Sequence, residues 1–546
     1  MRWRDVNGSR SLSFEGLTMR RVVYDVLCCL AIVTIGLIIA LPRFCNGIDI
    51  GDEGFLAYGA VRVMEGQTPN LNFVSLQPPL SFYSVATVFK LFGTSLITLR
   101  ALGLCIYLVI PLFVYALSRH LARPTMALAA AVPSAVLGMP FFNFVPFAVW
   151  HGVLATLVAA FLFLRAMDGS RRSLAFLAGV ATGLTLLSRH DQGFYLSVAI
   201  CSYAVVHKLV NSKTVGKTPP GRMLSFWSLG LIALMLPMAI HWSVSGAVPE
   251  MFKQLIVFPL TVYSKTSSLP MPQFNFDRPV AANVVVGLYY LPPAVHGLTV
   301  VLLLIRLLRK RFSAREAKIT YFLVLSVLFY CQVLTRSDVS HLVITLPPCF
   351  VLFAWWLETA TTAAAAAIAK MAGLDAHGRS VSLAAASAVL FLASAVFFLF
   401  LTYTNPFFLR SLQGPVNKIH LDRAGVHLEA QAAASWETVT AMIQKYAPRN
   451  RSILCLPYQP MLYFLSGRRN PTRWNYLWPG DQTPQDHKDL ITQAKSDPPA
   501  MVIIFDRPDL QRYARAIIDY VDSEYVCVLR SGRMTVYFPS ERKRER

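Results

Sequence analysis

Eleven predominantly apolar runs divide the first 403 residues of this chain. Because roughly 20 apolar residues cross a bilayer as a helix, each run predicts a membrane span. The composition agrees, since 55% of the residues are hydrophobic and 15% are charged, whereas about a quarter are charged in a typical soluble domain. The sequence therefore predicts an all-α polytopic membrane protein, with spans near 22–42, 96–118, 124–142, 146–165, 174–188, 193–210, 223–243, 281–305, 319–335, 342–363 and 381–403.

The distribution of Lys and Arg predicts the orientation of these spans. Short segments on one side of the predicted membrane hold 22 of these residues, against about nine on the other side up to residue 403. Because cytoplasmic loops carry such an excess, the N-terminus is predicted inside and the tail, after an odd number of spans, outside. The clusters also account for much of the net charge of +22, and no nucleic-acid-binding motif accompanies them. No small-residue cleavage site follows the first run, which predicts a retained helix.

Two long loops and the C-terminal tail lie on the predicted outer side. In the first outer loop, 43–95, the short apolar run 80–93 predicts an in-plane amphipathic helix. The second outer loop, 244–280, is rich in Pro and aromatic residues. The tail, 404–546, contains the strand-like runs "SILCLP", "MVIIFD", "YVCVLR" and "MTVYFP" and the amphipathic run "DLQRYARAIIDYV". These patterns predict a membrane domain over 1–403 and a small α/β domain over 404–546.

The first outer loop begins with an acidic pair, Asp52–Glu53, between Gly51 and Gly54. A carboxylate at the membrane face could take a proton from an acceptor hydroxyl or hold a cation against phosphate. The two glycines would let the backbone turn sharply and a ligand approach closely. The competing interpretation is a solvated acid pair at a helix N-terminus, where the helix dipole favours negative charge.

Two Arg-x-Asp motifs lie at the predicted outer ends of the fifth and ninth spans: Arg189 with Asp191 in "LSRHDQG", and Arg336 with Asp338 in "LTRSDVSH". A guanidinium group suits phosphate oxygens, and the nearby Asp can hold it in place. The alternative is a snorkelling Arg paired locally with Asp. Because both motifs run against the positive-inside bias and share a face with the acidic pair, they favour an anionic-ligand site.

His341, Lys265 and two cysteines of the tail are further candidate functional residues. His341 could donate to phosphate or acceptor, or could satisfy a helix start, and Lys265 in the second outer loop is a candidate phosphate partner. Cys455 and Cys527 could pair if the tail faces an oxidising compartment. The sequence has no Walker A, GxSxG, HExxH or dinucleotide-binding motif. Because there is no ATP on the outer side of the membrane, the energy for a biosynthetic reaction there would arrive within the substrate, and a lipid-linked phosphosugar is the obvious carrier.

The stretch from Gly51 to Gly103 resembles the first-loop signature of GT-C fold membrane glycosyltransferases of the family 39 and 83 type. That family includes protein O-mannosyltransferases and the lipid A aminoarabinose transferase. The signature is an Asp-Glu pair, a Gly-x-x-Pro step, a Pro-Pro pair, a Phe-Gly pair and an Arg opening the second span. In this sequence it corresponds to Asp52–Glu53, Gly66–Pro69, Pro78–Pro79, Phe92–Gly93 and Arg100. The segment "NLNFVSL" departs from the Tyr and Asp that many members have, so we expect different acceptor contacts there.

The resemblance implies an inverting transferase of a bacterial inner membrane, acting at the periplasmic face. The donor would be a polyprenyl-phosphate-linked sugar, and the acceptor a lipid, glycan or protein of the cell envelope. It implies Asp52 at the catalytic centre, with Glu53 orienting it or sharing a cation with it. Basic residues such as Arg189 and Arg336 would stabilise the leaving phosphate, and Arg100 joins them as a candidate. The resemblance leaves two alternatives for a cofactor, because members of the family differ: none, or a divalent cation held by Asp52 and Glu53. The competing classes are a transporter or lipid flippase, or a non-catalytic assembly protein.

Overall fold

A computed structural model describes residues 14–138, 144–210, 220–373, 375–403, 414 and 417–540. Long helices form the membrane domain: α1 Phe14–Ala40, α4 Leu96–Ser118, α5 Pro124–Leu137, α6 Ala148–Gly169, α7 Arg172–Ser188, α8 His190–Val210, α9 Pro220–Val244, α12 Val280–Leu308, α13 Ala314–Thr335, α14 Val339–Met371 and α15 Ala376–Tyr403. A helix therefore occupies each of the eleven predicted positions.

Nine helices in the described part of the chain are long and apolar enough to cross a membrane. The other two predicted spans, α5 and α7, are helices of 14 and 17 residues, shorter than the roughly 20 residues that span the hydrocarbon core. Both pack within the bundle, α5 against α4 and α14, and α7 against α6 and α9. The end of the span predicted at 124–142 lies outside the described residues.

The first outer loop contains α2 Asp52–Met64 and α3 Leu80–Phe92. Helix α3 has 13 residues, about 20 Å at 1.5 Å per residue, which is too short to cross a bilayer. Its buried face, Phe82, Val85 and Phe89, belongs to the same apolar core as Phe55 of α2 and Met461 of the tail. The first outer loop and the tail thus share one core on the same side of the protein.

The second outer loop is mostly helical. Helix α10, Val248–Phe252, continues through wider π-helical turns to Tyr263 and ends in the short α11, Ser264–Thr266. Buried Gln254 holds this segment against the first loop, because its side chain bonds Asn70 and the backbone N–H of Ser75. Further along, the backbone N–H of Ser337 donates to Leu269 O. The loop therefore runs from the first loop to the Arg336 motif.

The tail contains strands at all four predicted runs: β3 Leu454–Leu456, β4 Val502–Phe505, β5 Tyr525–Ser531 and β6 Met534–Pro539. They form one sheet of order β3-β4-β6-β5, in which β3 and β4 are parallel and the other pairs antiparallel. A two-residue pair, β1 Asn417–Lys418 with β2 His427–Leu428, precedes it. The remaining helices are α16 Ala430–Tyr446, α17 Pro460–Ser466, α18 Pro484–Ser496, α19 Leu510–Tyr513 and α20 Arg515–Glu524. This confirms the predicted α/β region.

Side chains alternate across this sheet and place its two faces in different cores. Cys455, Ile503 and Val536 face the core shared with the first loop, whereas Leu454 and Val502 face a second core with α18 and α20. Cys455 lies on one edge strand and Cys527 on the other, and both are free. Two strands separate them at about 4.8 Å per step, so the disulfide considered above cannot form.

Candidate active site

Glu53 and Arg100 form a buried ion pair beneath the first outer loop. Arg100 Nε and Nη2 donate to the two Glu53 oxygens at 2.6 and 2.9 Å, and both side chains are 0% exposed. Arg100 also donates to the carbonyl oxygens of Phe44, Asn46 and Gly47. The pair therefore fixes the chain just before α2. Neither side chain meets solvent, so the predicted contacts of Glu53 with a cation and of Arg100 with substrate find no support in this geometry.

Asp52 lies beside this pair, at the first position of α2, with its side chain exposed. Asp49 fixes the turn that leads into the helix, because its Oδ1 accepts from the backbone N–H groups of Gly51 and Asp52, both at 3.0 Å. The hydroxyl of Tyr458, from the tail, donates to Asp52 Oδ1. Within the described chain, Oδ2 of Asp52 has no hydrogen-bond partner. One carboxylate oxygen is thus held and the other is open.

Burial and the neighbouring acidic residues raise the pKa of Asp49. Burial raises the pKa of its carboxyl to about 7, and the neighbouring charges of Asp52 and Glu53 add to the effect. Burial likewise raises the pKa of the Tyr458 hydroxyl well above its usual value, and the Asp52 carboxylate adds to this shift. Tyr458 therefore stays protonated at physiological pH and serves as a donor.

A cation shared by Asp52 and Glu53 does not fit this arrangement. One oxygen of Glu53 accepts from Arg100, and the other accepts from Arg100 and from the Asp49 backbone N–H at 3.2 Å. Over the described ranges, no three His, Cys, Asp or Glu side chains are grouped to hold a metal ion.

The two glycines beside the acidic pair serve a purpose other than ligand approach. A Cβ on Gly51 would lie 2.4 Å from the ring of Tyr458, and a Cβ on Gly54 would lie 2.4 Å from the backbone nitrogen of Met461. Both distances are below any ordinary carbon contact. The expectation that these glycines let a ligand approach closely is therefore wrong in this structure. Their lack of a side chain instead lets the tail pack against the start of α2.

The two Arg-x-Asp motifs form a second cluster. Arg189 donates through Nε and Nη2 to both oxygens of Asp191, at 2.9 and 2.7 Å. Arg336 donates through Nε to Asp338 at 2.7 Å. The arginine side chains remain 30% and 34% exposed, in contrast to Arg100. Each guanidinium is thus oriented by its own carboxylate and still open to a ligand.

Two residues that the sequence patterns did not reveal join these motifs. Gln332 on α13 donates to Asp191 at 2.9 Å and lies one helical turn before Arg336, a spacing that could have indicated it. Tyr263, from the second outer loop, lies close to both Arg336 and Arg189. The structure therefore brings both motifs together.

His341 and Lys265 occupy different places in this cluster. Asp338 is the N-cap of α14, and its Oδ1 accepts from both the backbone N–H and the ring Nδ1 of His341 at 2.8 Å. The geometry favours the helix-start interpretation of His341. Lys265 is exposed on α11, and within the described chain it makes no ion pair. Its role as a phosphate partner stays a prediction.

Contacts of the second outer loop connect the Asp52 cluster to the arginine cluster. Trp478 lies next to Tyr458, with ring centroids 6.2 Å apart. Gly480 lies two residues after Trp478 in the tail. A Cβ on Gly480 would lie 2.8 Å from the side chain of Thr266, which belongs to the second outer loop. Tyr263 lies three residues before Thr266 and close to Arg336. The second outer loop thus connects the tail aromatic residues beside Asp52 to the two arginines.

Comparisons with known proteins agree with this architecture. The family model described as dolichyl-phosphate-mannose-protein mannosyltransferase matches residues 76–241. A search of curated protein sequences gives no significant match. The structure is similar to that of ArnT from Cupriavidus metallidurans bound to undecaprenyl phosphate, at 15% identity and a TM-score of 0.57, over 94% of this chain and 97% of that one.

Two further solved structures are similar over most of this chain. The oligosaccharyltransferase AglB from Archaeoglobus fulgidus, in complex with an inhibitory peptide and a dolichol-phosphate, matches at 12% identity and a TM-score of 0.55, covering 96% of this chain and 75% of that one. The arabinofuranosyltransferase AftD from Mycobacteria matches at 12% identity and a TM-score of 0.51, covering 94% and 40%. The chain therefore has the GT-C fold of membrane glycosyltransferases, as its first-loop signature predicted.

Proposed function

We propose that this protein is an inverting glycosyltransferase that moves a sugar from a polyprenyl-phosphate-linked donor to a cell-envelope acceptor. The observation that carries the proposal is that one face of a GT-C bundle presents a carboxylate, Asp52, and two guanidinium groups, Arg189 and Arg336. Each is oriented by a neighbouring side chain and remains accessible to a ligand. The similar structures of ArnT and AglB contain undecaprenyl phosphate and dolichol-phosphate, which supports a polyprenyl carrier.

The proposed reaction is a single displacement at the anomeric carbon. Asp52 takes the proton of the acceptor hydroxyl through its open oxygen as that hydroxyl attacks. The bond between the anomeric carbon and the phosphate oxygen breaks, and polyprenyl phosphate leaves with the bonding electrons. Arg189 and Arg336 stabilise the charge that develops on the phosphate. Because attack and departure occur on opposite faces, the configuration inverts.

The location of the reaction follows from the charge distribution. The inner segments hold 22 Lys and Arg residues, so the positive-inside rule places the N-terminus in the cytoplasm and the site and tail at the periplasmic face of an inner membrane. The first loop and the tail share one core, which is consistent with both lying on that side. The acceptor would be a lipid, glycan or protein of the envelope.

Release of polyprenyl phosphate by purified protein in liposomes tests the proposal. We expect release from at least one member of a panel of undecaprenyl-phosphate hexoses and pentoses when envelope extract is supplied as acceptor. A transporter or flippase would move the donor without cleaving it, so intact donor throughout the panel would contradict the proposal.

Two variants assign the roles of individual groups. Asp52→Asn should lower turnover by roughly 10²–10⁴-fold, the usual contribution of a general base, while the protein remains folded. Arg336→Ala should weaken donor binding by roughly 10–100-fold, as expected for a lost charge-assisted bond of about 1.5–3 kcal/mol. Glu65→Gln, an exposed carboxyl at the other end of α2, is the matched control. Full turnover in Asp52→Asn would exclude Asp52 as the base.

A further inference from the structure

The tail domain contacts the first turn of α2 closely. Helix α17 packs along α2, and Met461 approaches the α2 backbone at Gly54. The ring of Tyr58 stacks on that of Tyr463 with centroids 4.9 Å apart, and the Tyr58 hydroxyl accepts from the Asn470 backbone at 2.7 Å. This interface is therefore a packed core rather than a loose contact between domains.

Tyr458 lies at the end of this interface nearest Asp52. Its ring packs against Gly51, which has no side chain to obstruct it, and against Tyr476 at 5.6 Å between centroids. The neighbouring Pro457 accepts the backbone N–H of Leu477 at 2.7 Å. These contacts fix the ring, so its hydroxyl has a defined position from which it donates to Asp52 Oδ1.

We infer that Tyr458 is a positioning residue for Asp52 and that the tail domain thereby completes the active site. The inference rests on the function proposed above. An exposed Asp at the start of a helix can adopt several rotamers, only some of which aim an oxygen at an acceptor. The Tyr458 hydroxyl bonds one oxygen and so selects one rotamer, which leaves the other oxygen directed outward. Preorganisation of this kind lowers the cost of reaching the reactive geometry.

Tyr458→Phe tests the inference, because it removes the hydroxyl and keeps the ring. We expect kcat for polyprenyl-phosphate release to fall roughly tenfold with little change in donor KM, because the orientation of the base changes and the donor contacts do not. Tyr476→Phe is the matched control, since its ring packs against Tyr458 and its hydroxyl does not bond Asp52. Wild-type kcat in Tyr458→Phe would overturn the inference.

Gly54→Ala offers a second test, made away from the reacting atoms. The added methyl group would meet the backbone at Met461 and push α17, and with it Tyr458, away from Asp52. The same fall in kcat with little change in donor KM is expected in folded protein, because the hydrogen bond is stretched while both partners remain. Wild-type kcat in this variant would show that Asp52 does not depend on the position of the tail.

Thermal unfolding of Asp52→Ala, Tyr458→Phe and the double variant separates this inference from the proposed function. Residues in contact give non-additive effects, so the midpoint shift of the double variant should differ from the sum of the single shifts. Additive shifts would overturn the contact whether or not the protein turns over. If the shifts are non-additive but the wild-type protein is inactive on every donor, the contact stands. The proposed function would then be overturned, and the positioning role with it.

Discussion

The buried pair of Glu53 and Arg100 allows the sharpest stability prediction. Removal of one partner from a buried ion pair costs about 3–5 kcal/mol, because the remaining charge is left uncompensated. In Glu53→Ala, three backbone carbonyls would still contact the Arg100 guanidinium, so we expect about 3 kcal/mol, near the lower limit. Arg100→Ala should cost more, since it leaves both a buried carboxylate and those three carbonyls without their donor.

The assay is thermal unfolding in detergent, followed by circular dichroism. The double variant Glu53→Ala/Arg100→Ala should lose less free energy of unfolding than the two single variants added together, because neither charge is then left unpaired. Asp519→Ala is the control, since Asp519 lies 3.9 Å from Arg515 in an exposed pair and should change stability by less than about 1 kcal/mol.

A Glu53→Ala variant that is stable but inactive would refute the structural role of Glu53. If Glu53→Ala unfolds at the same temperature as the control yet loses turnover, Glu53 acts on the substrate or on a cation rather than on the structure of the first loop. If it is destabilised and Glu53→Gln keeps part of both stability and turnover, the structural role stands.

Further predictions concern the polar groups around this pair. The raised pKa of Asp49, about 7, means that the folded state binds a proton more tightly than the unfolded chain. Its contribution to stability is therefore lost as pH rises from about 4 to about 7, and unfolding midpoints of Asp49→Asn across that range should show a flatter pH dependence than wild type. Gln254→Leu leaves buried donors and acceptors of Asn70 and Ser75 unsatisfied, so thermal unfolding should show a loss of about 1–3 kcal/mol. An unchanged midpoint would contradict the anchoring role of the second outer loop.

Much of the fold could be predicted because membrane spans and strands leave local signals. The apolar runs predicted helices at all eleven positions, and the four β-branched and aromatic runs of the tail became the four strands of its sheet. These signals are local because backbone hydrogen bonds within lipid must be made inside a helix, and because a half-buried strand alternates its side chains with a period of two. The predicted Arg-x-Asp pairs are likewise local, two residues apart in the chain.

The sequence by itself determined the helical membrane region, the C-terminal α/β region and the Arg-x-Asp motifs. Only the tertiary structure decided which of the polar residues are open and which are buried. Asp52 and Glu53 are neighbours in sequence, yet one is exposed and the other is fully buried against Arg100, 47 residues away. Tyr458 reaches Asp52 across 406 residues. Such pairings depend on how whole domains pack, and no local periodicity records them.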